Sequence, residues 1–231
     1  RRFQGPCEIL RVYIEGDGKA WKTRTKLSSD PTPSNPIALQ LAMIDSYKNV
    51  IYIARPGQFP ISDAPKCNSS YWSNKRFAPE VVEAFDKVIN MAKHDSGARS
   101  VEIVGYSGGG AIAVLVAAKR FDVASLRTVA GNLDLKAFCA YHHVSPLDGS
   151  LNPSDYAAKV RNIPQRHFIG SRDRVIPNFI AESFADKIGD SMHESIYVVS
   201  GATHNLKWQE AWKAILSAPL YTNLLSGTRK K

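Results

Sequence analysis

Three residues far apart in the chain have the types needed for nucleophilic acyl chemistry. Ser107 lies in Gly105-Tyr106-Ser107-Gly108-Gly109, Asp173 in Ser171-Arg172-Asp173-Arg174-Val175-Ile176-Pro177, and His204 in Gly201-Ala202-Thr203-His204. A serine hydroxyl is a weak nucleophile. It needs a base to take its proton, and the base needs a third group to hold it in one tautomer. A serine, a carboxylate and a histidine meet that need only where the elements carrying them end at one place.

The local pattern predicts such elements. Ser107 follows the apolar run 100–104 and precedes the alanine- and valine-rich run 111–118, which reads as strand, sharp turn, helix. A serine at the apex of that turn stands before a helix N-terminus, and glycines flank it because side chains there would collide across the turn. Apolar or alternating runs at 9–14, 50–54, 126–130, 166–170 and 195–199 read as further strands. Between them, helices are expected from Pro36, capped by Asn35 and carrying Ile37, Leu41 and Ile44 on one face, and from Pro79, with Val81, Val82, Phe85, Val88, Ile89 and Ala92 at helical spacing. Two more are expected at about 178–188 and around Leu206, Trp208, Trp212 and Ile215. This alternation predicts an α/β fold, a mainly parallel sheet of about six strands with helices on both faces, as one domain over residues 1–231. Ligands of such sheets gather at the C-terminal edge of the strands, where Ser107, Asp173 and His204 all fall.

Two stretches resist this alternation. A loop running to about residue 77 carries Phe59, Tyr71, Trp72 and Phe77, aromatic enough to pack on something. Residues 136–165 have no clean period and hold Tyr141, His142, His143 and the turn 145–149, which reads as a small cap or long loop over the site.

The order serine, aspartate, histidine, each directly after an expected strand, resembles the α/β-hydrolase superfamily from Ile9 to about Leu216, with its earliest antiparallel strands missing. A closer resemblance is to a group of bacterial α/β-hydrolases without well-defined function. It is carried by Tyr13-Ile14-Glu15-Gly16-Asp17-Gly18, Ala54-Arg55-Pro56, Gly105-Tyr106-Ser107-Gly108-Gly109-Gly110-Ala111 and Ala130-Gly131-Asn132-Leu133-Asp134. The resemblance implies a Ser107-His204-Asp173 triad and an oxyanion hole built from the backbone amides of Gly108 and Asp17. Esterases of the superfamily often open that second loop with histidine-glycine, whereas Glu15-Gly16 stands here. An inward Glu15 or Asp17 would disfavour anionic substrates.

Each assignment has a competitor in the sequence itself. Asp173 also suits a turn or helix cap, and Asp134, likewise after a strand, competes as the acid. His204 competes with a packing role, and His94, His142, His143, His167 and His193 are less well placed, although His142 and His143 are candidates for lining the cap. Trp21 is a candidate border of the acyl pocket or a packing residue. Arg55 is a candidate for binding a substrate carboxylate or phosphate, or a structural ion pair.

Esters, thioesters and amides share the chemistry of such a triad, so the triad alone does not choose among them. A carboxylester is the first expectation because only a short segment is available to cover the site; a peptide-like substrate is the second. A different class, a catalytically silent binding module on the same scaffold, predicts no reaction at Ser107. The chemistry needs neither metal nor organic cofactor, and no dinucleotide or P-loop glycine pattern is present.

Composition narrows the partners. Lys and Arg number 30 against 21 Asp and Glu, a formal charge of +9, but Arg1, Arg2, Arg229, Lys230 and Lys231 place five of the positive charges at the two ends. No RNP, zinc-finger or helix-turn-helix pattern accompanies them, so a nucleic-acid partner is not expected. With 44% hydrophobic residues and no apolar run near about 20 residues, no membrane span is expected either. Cys7, Cys67 and Cys139 lack C-x-x-C spacing and allow one disulfide or three thiols. The chain opens at Arg1 without a signal-like apolar segment, so a processed start, and with it export, stays open beside a cytoplasmic site. Oligomeric state is not legible.

Overall fold

The computed structural model describes residues 1–5, 7–23, 25–60 and 67–222. The stretch 61–66 of the aromatic loop and the terminal charges Arg229, Lys230 and Lys231 lie outside the described residues.

Six strands form one sheet: β1 (Ile9–Ile14), β2 (Val50–Ile53), β3 (Ser100–Tyr106), β4 (Val123–Val129), β5 (Gln165–Gly170) and β6 (Ile196–Val199), in the order β2-β1-β3-β4-β5-β6. Every neighbouring pair is parallel, with Ile14 opposite Gly105, Tyr106 opposite Val129 and Gly170 opposite Val199. All six strands therefore end on the same edge, and β1, β3, β4 and β5 are adjacent there. The expected α/β-hydrolase sheet is present.

The helices are α1 (Ile37–Ile44), α2 (Pro79–Ser96), α3 (Gly108–Ala117), α4 (Leu135–His142), α5 (Ala157–Val160), α6 (Asn178–Asp186) and α7 (Trp208–Ser217). Successive strand side chains point to opposite faces, and the core divides accordingly. Leu10, Val12 and Ile14 pack with Val101, Ile103 and the buried sides of α2, α3 and α6. Tyr13, Val104 and Tyr106 pack on the other face with Ile37 and Leu41 of α1 and Trp208, Trp212 and Ile215 of α7. Every residue of α3 is buried, which explains its unbroken run of glycine, alanine and aliphatic side chains. Among the described residues no helix is long and apolar enough to cross a membrane.

Several local expectations change. Asn35 does not cap α1. Its Oδ1 accepts from Gln40 Nε2, the helix starts after Pro36, and the Glu15 carboxylate approaches the free Ala38 and Leu39 amides from the end of β1, each 3.4 Å away. Ile44, Val88 and Leu206 fit a helical period but face solvent, so Ile44 does not share the buried face of Ile37 and Leu41, and Leu206 precedes α7. In the aromatic loop Trp72 and Phe77 are buried, whereas Phe59 is 42% exposed.

The segment 136–165 is folded into the body instead of forming only a loop. Leu135, Ala157 and Val160 join the core, Asn152 Oδ1 accepts from the Leu135 amide, and the Leu151 amide donates to the Phe77 carbonyl. Helix α4 escaped the periodicity reading because it is two turns long and buries only Leu135 and Cys139. The three cysteines are free thiols.

Candidate active site

The turn between β3 and α3 is built as its glycines predict. A Cβ on Gly105 would lie 2.3 Å from the Gly109 carbonyl oxygen, and one on Gly109 would lie 2.2 Å from the Ile14 carbonyl oxygen. Strand and helix can therefore press together, and Ser107 takes φ 50° and ψ −121°, a conformation costly for a residue with a side chain. The Ser107 carbonyl accepts from the Gly110 and Asn132 amides, which tie the strained residue to the next strand-end turn.

Folding brings the three widely spaced residues into one hydrogen-bonded line. His204 Nε2 lies 3.0 Å from Ser107 Oγ, and His204 Nδ1 lies 2.9 Å from Asp173 Oδ2. A carboxylate only accepts, so Nδ1 carries the proton and Nε2 presents its lone pair to the serine hydroxyl. The Asp173 side chain has no exposed surface, and its other oxygen accepts from the Val175 and Ile176 amides at 2.8 and 2.9 Å. Asp134, the competing acid, is elsewhere. It caps α4 through the Lys136 and Ala137 amides and accepts from Ser183 Oγ.

The histidine loop is held from behind. Trp208 Nε1 donates to the His204 carbonyl at 2.8 Å, and the Tyr106 hydroxyl lies 2.9 Å from that carbonyl and 2.8 Å from Asn205 Oδ1, with one proton to give. Burial, then the charges of Glu15 and Asp173, push the Tyr106 phenol up, so it stays a donor. The residue before the serine thus holds the histidine loop.

Across the elbow, the turn after β1 brings Asp17 against Gly108, where a Cβ would fall 2.1 Å from Asp17 Oδ1. Neither the Gly108 nor the Asp17 amide donates to a protein acceptor among the described residues. The Asp17 carboxylate is flanked by two arginines, Oδ1 accepting from Arg55 Nη1 at 3.2 Å and Oδ2 from Arg76 Nη1 at 2.9 Å. Burial pushes the Asp17 carboxyl up, but Arg76 and then Arg55 outweigh it, and the group sits below the usual carboxylate range. Glu15 is turned away. Its carboxylate accepts from the Gly16 amide and the Tyr52 hydroxyl and faces the start of α1, with burial pushing its own pKa up.

A cavity of about 440 Å³ opens over Ser107 and His204, bordered by Asp17, Trp21, Arg76 and Phe138. Trp21 therefore borders the site. Arg55 does not line it: this side chain is 4% exposed, pairs with Asp17, donates to the Arg76 carbonyl and stacks over Phe77 with its charged carbon 5.0 Å from the ring centre. Of the two readings of Arg55, the structural ion pair is the one observed. His142 and His143 do not line the cavity either. His142 Nε2 bonds the Val175 carbonyl at 2.8 Å beside the acid loop, and His143 ends α4 with φ 51°. From the segment 136–165, only Phe138 reaches the cavity. Among the described residues no group of three or more His, Cys, Asp or Glu is gathered as a metal site.

Sequence reasoning missed Arg76, Phe138 and the side chain of Asn132, all at the cavity. Asn132 stood in a quoted motif without a role. Arg76 gave no local signal, because its partner Asp17 is distant in sequence.

Comparison with known proteins agrees with this architecture. Solved structures similar to the chain include TT1662 from Thermus thermophilus, with TM-score 0.61, 17% identity and coverage of 94% of this chain and 89% of that one. Est1E from Butyrivibrio proteoclasticus, solved with ferulic acid bound, gives TM-score 0.62 and 13% identity over 91% and 88% of the two chains. The Pyrococcus furiosus esterase Pf2001 gives 0.59 and 14% over 92% and 81%. At these identities the likeness is one of fold. No curated protein matches the sequence. The family model described as Serine hydrolase (FSH1) matches residues 39–204, a span that opens in α1 and closes on the histidine facing Ser107, and the chain belongs to that family of serine hydrolases.

Proposed function

We propose that the protein is a carboxylester hydrolase that works through a Ser107-His204-Asp173 triad and an acyl-enzyme, as one hydrolase domain with the segment 136–165 at its rim. The observation that carries this reading is the continuous Ser107–His204–Asp173 hydrogen-bonded line on a strained strand-to-helix turn. Ser107 Oγ attacks the ester carbonyl carbon as its proton passes to His204 Nε2, and the buried Asp173 carboxylate stabilises the imidazolium. The tetrahedral oxyanion is held by the Gly108 and Asp17 amides, each such donor contributing roughly 10²- to 10³-fold in rate. Collapse breaks the bond to the leaving alkoxide, which takes the proton from His204. Water then gives a proton to His204 as it attacks the acyl carbon, and the second adduct collapses by breaking the bond to Ser107 Oγ, which takes that proton back from His204 as the acid leaves.

The arginines fit this mechanism. A lone carboxylate about 5 Å from a developing oxyanion would oppose it by roughly 3 kcal/mol at an effective dielectric constant of 20. Arg55 and Arg76 offset that repulsion at Asp17. An ester is favoured over a peptide because, from the segment 136–165 and among the described residues, only Phe138 reaches the cavity. The test is turnover of 4-nitrophenyl esters by the parent, Ser107→Ala and His204→Ala. The reading expects steady hydrolysis by the parent and loss of at least roughly 10³-fold in either variant; equal turnover in all three would refute it.

A further inference from the structure

The charges around the cavity distinguish one class of ester from another. Four charged residues line it: Glu15, Asp17, Lys19 and Arg76. Glu15 is 1% exposed, and its carboxylate is engaged by the Gly16 amide, the Tyr52 hydroxyl and the start of α1. Asp17 carries one negative charge between two guanidinium groups, which leaves the Arg55–Asp17–Arg76 cluster with one positive charge in excess. Arg76 lines the cavity and donates through Nε to the Ser73 carbonyl and through Nη1 to Asp17, while its Nη2 has no protein acceptor among the described residues and is not fully buried. Lys19 is exposed and has no carboxylate within ion-pair distance among the described residues. Its amide donates to the Pro31 carbonyl at 2.9 Å, which fixes the backbone that carries the ammonium.

We infer that the cavity selects an ester bearing a second, anionic group, a carboxylate or a phosphate, held by Arg76 Nη2 and the Lys19 ammonium while its carbonyl lies at Ser107. This rests on the proposed ester hydrolysis and names its substrate class. A guanidinium already fixed by two hydrogen bonds is pre-organised to meet an oxyacid, and a flexible ammonium at the rim adds attraction that also steers the approach. The acidic residues of this turn, which from sequence alone argue against anions, do not bar one here: Glu15 faces the start of α1, and Asp17 is outnumbered by its two arginines.

The experiment compares kcat/KM for 4-nitrophenyl butyrate with that for the mono-4-nitrophenyl ester of glutaric acid, which adds a carboxylate at the far end of the acyl chain. Parent, Lys19→Gln and Lys19→Glu are measured at low and high salt, with fluorophosphonate labelling of Ser107 alongside. Lys19 is exposed, so these variants should fold. The inference expects the parent to prefer the anionic ester by about tenfold or more, the preference to shrink with salt, and the ratio to fall about threefold in Lys19→Gln and further in Lys19→Glu. A second arm measures binding to phosphatidylglycerol and phosphatidylcholine vesicles. Selective binding to the anionic vesicles, lost in Lys19→Glu, would identify a lipid headgroup as the source; equal binding to both, with the soluble preference intact, would identify a small soluble anion. A labelled enzyme that hydrolyses the butyrate at least as well as the glutarate, or whose ratio ignores the charge at position 19, overturns the inference alone. Absence of both labelling and turnover overturns the proposed function with it.

Discussion

Two aspartates at neighbouring strand ends make the same local hydrogen bonds and face different partners. Asp134 accepts from the amides two and three residues ahead, Lys136 and Ala137, at 3.0 and 3.2 Å; Asp173 accepts from those of Val175 and Ile176 at 2.8 and 2.9 Å. Each follows a parallel strand and each is nearly buried. The difference lies in the second carboxylate oxygen. In Asp134 it accepts from Ser183 Oγ at 2.6 Å and is closed into the α4–α6 contact, whereas in Asp173 it faces His204 Nδ1. Local turn chemistry orients a carboxylate, and the sheet order decides which partner stands opposite it, a helix serine for Asp134 and a histidine for Asp173. The preceding turn sharpens the point. Ala130, like Ser107, holds a positive φ at a strand end, yet it presents no nucleophile.

The largest effect expected from this contrast is on catalysis. Asp173→Asn should lower kcat by roughly 10³- to 10⁴-fold, about 4–5.5 kcal/mol, with little change in unfolding midpoint, because the amide can favour the wrong histidine tautomer. Activity kept in Asp173→Asn and lost in Asp134→Asn would reverse the assignment of the two residues.

The next effect is at a histidine that faces no carboxylate, unlike His204. His167 is fully buried between Thr128 Oγ1 and Gln165 Oε1, and burial, with Arg166 adding to it, lowers its pKa to about 3. Its unfolded value is near 6.5, so the unfolded chain binds the proton first. The stability of the neutral form is full above about pH 6.5 and falls by about 1.4 kcal/mol per unit as pH drops toward 3. Denaturant melts between pH 7 and 4.5 should show this slope in the parent and a shallower one in His167→Gln.

Removing the capping aspartate acts on stability at a fixed pH. Asp134→Ala should cost about 1–2 kcal/mol in denaturant unfolding, while kcat of the remaining folded enzyme changes less than about threefold. The smallest expected effect is at the support of the base. Tyr106→Phe should lower kcat about five- to tenfold with KM nearly constant, since the lost hydroxyl holds the His204 carbonyl and Asn205 instead of substrate.

The parts of this architecture legible in the sequence are those written in short windows. The strands show as β-branched runs stopped by glycine or proline, and the nucleophile turn shows as glycines around Ser107 between a strand and a helix. Asp173 and His204 were legible because each directly follows such a run. What stayed hidden depends on contacts between distant windows. Arg76 is defined by Asp17, the start of α1 is met by Glu15 instead of the adjacent Asn35, and Arg55 is fixed by Asp17 and a phenylalanine face. Residues 136–165 were obscure for another reason. Short helices bury too few side chains to write a period, so a segment that packs into the core read as a covering loop.

The most direct test of the central claim, that Ser107 is a nucleophile activated by His204, is intact-mass analysis after treatment with a fluorophosphonate. The account predicts one adduct per chain on the parent, none on Ser107→Ala, and labelling of His204→Ala slowed by at least roughly 10³-fold. An adduct that persists in folded Ser107→Ala, or a folded parent that takes none, would contradict it.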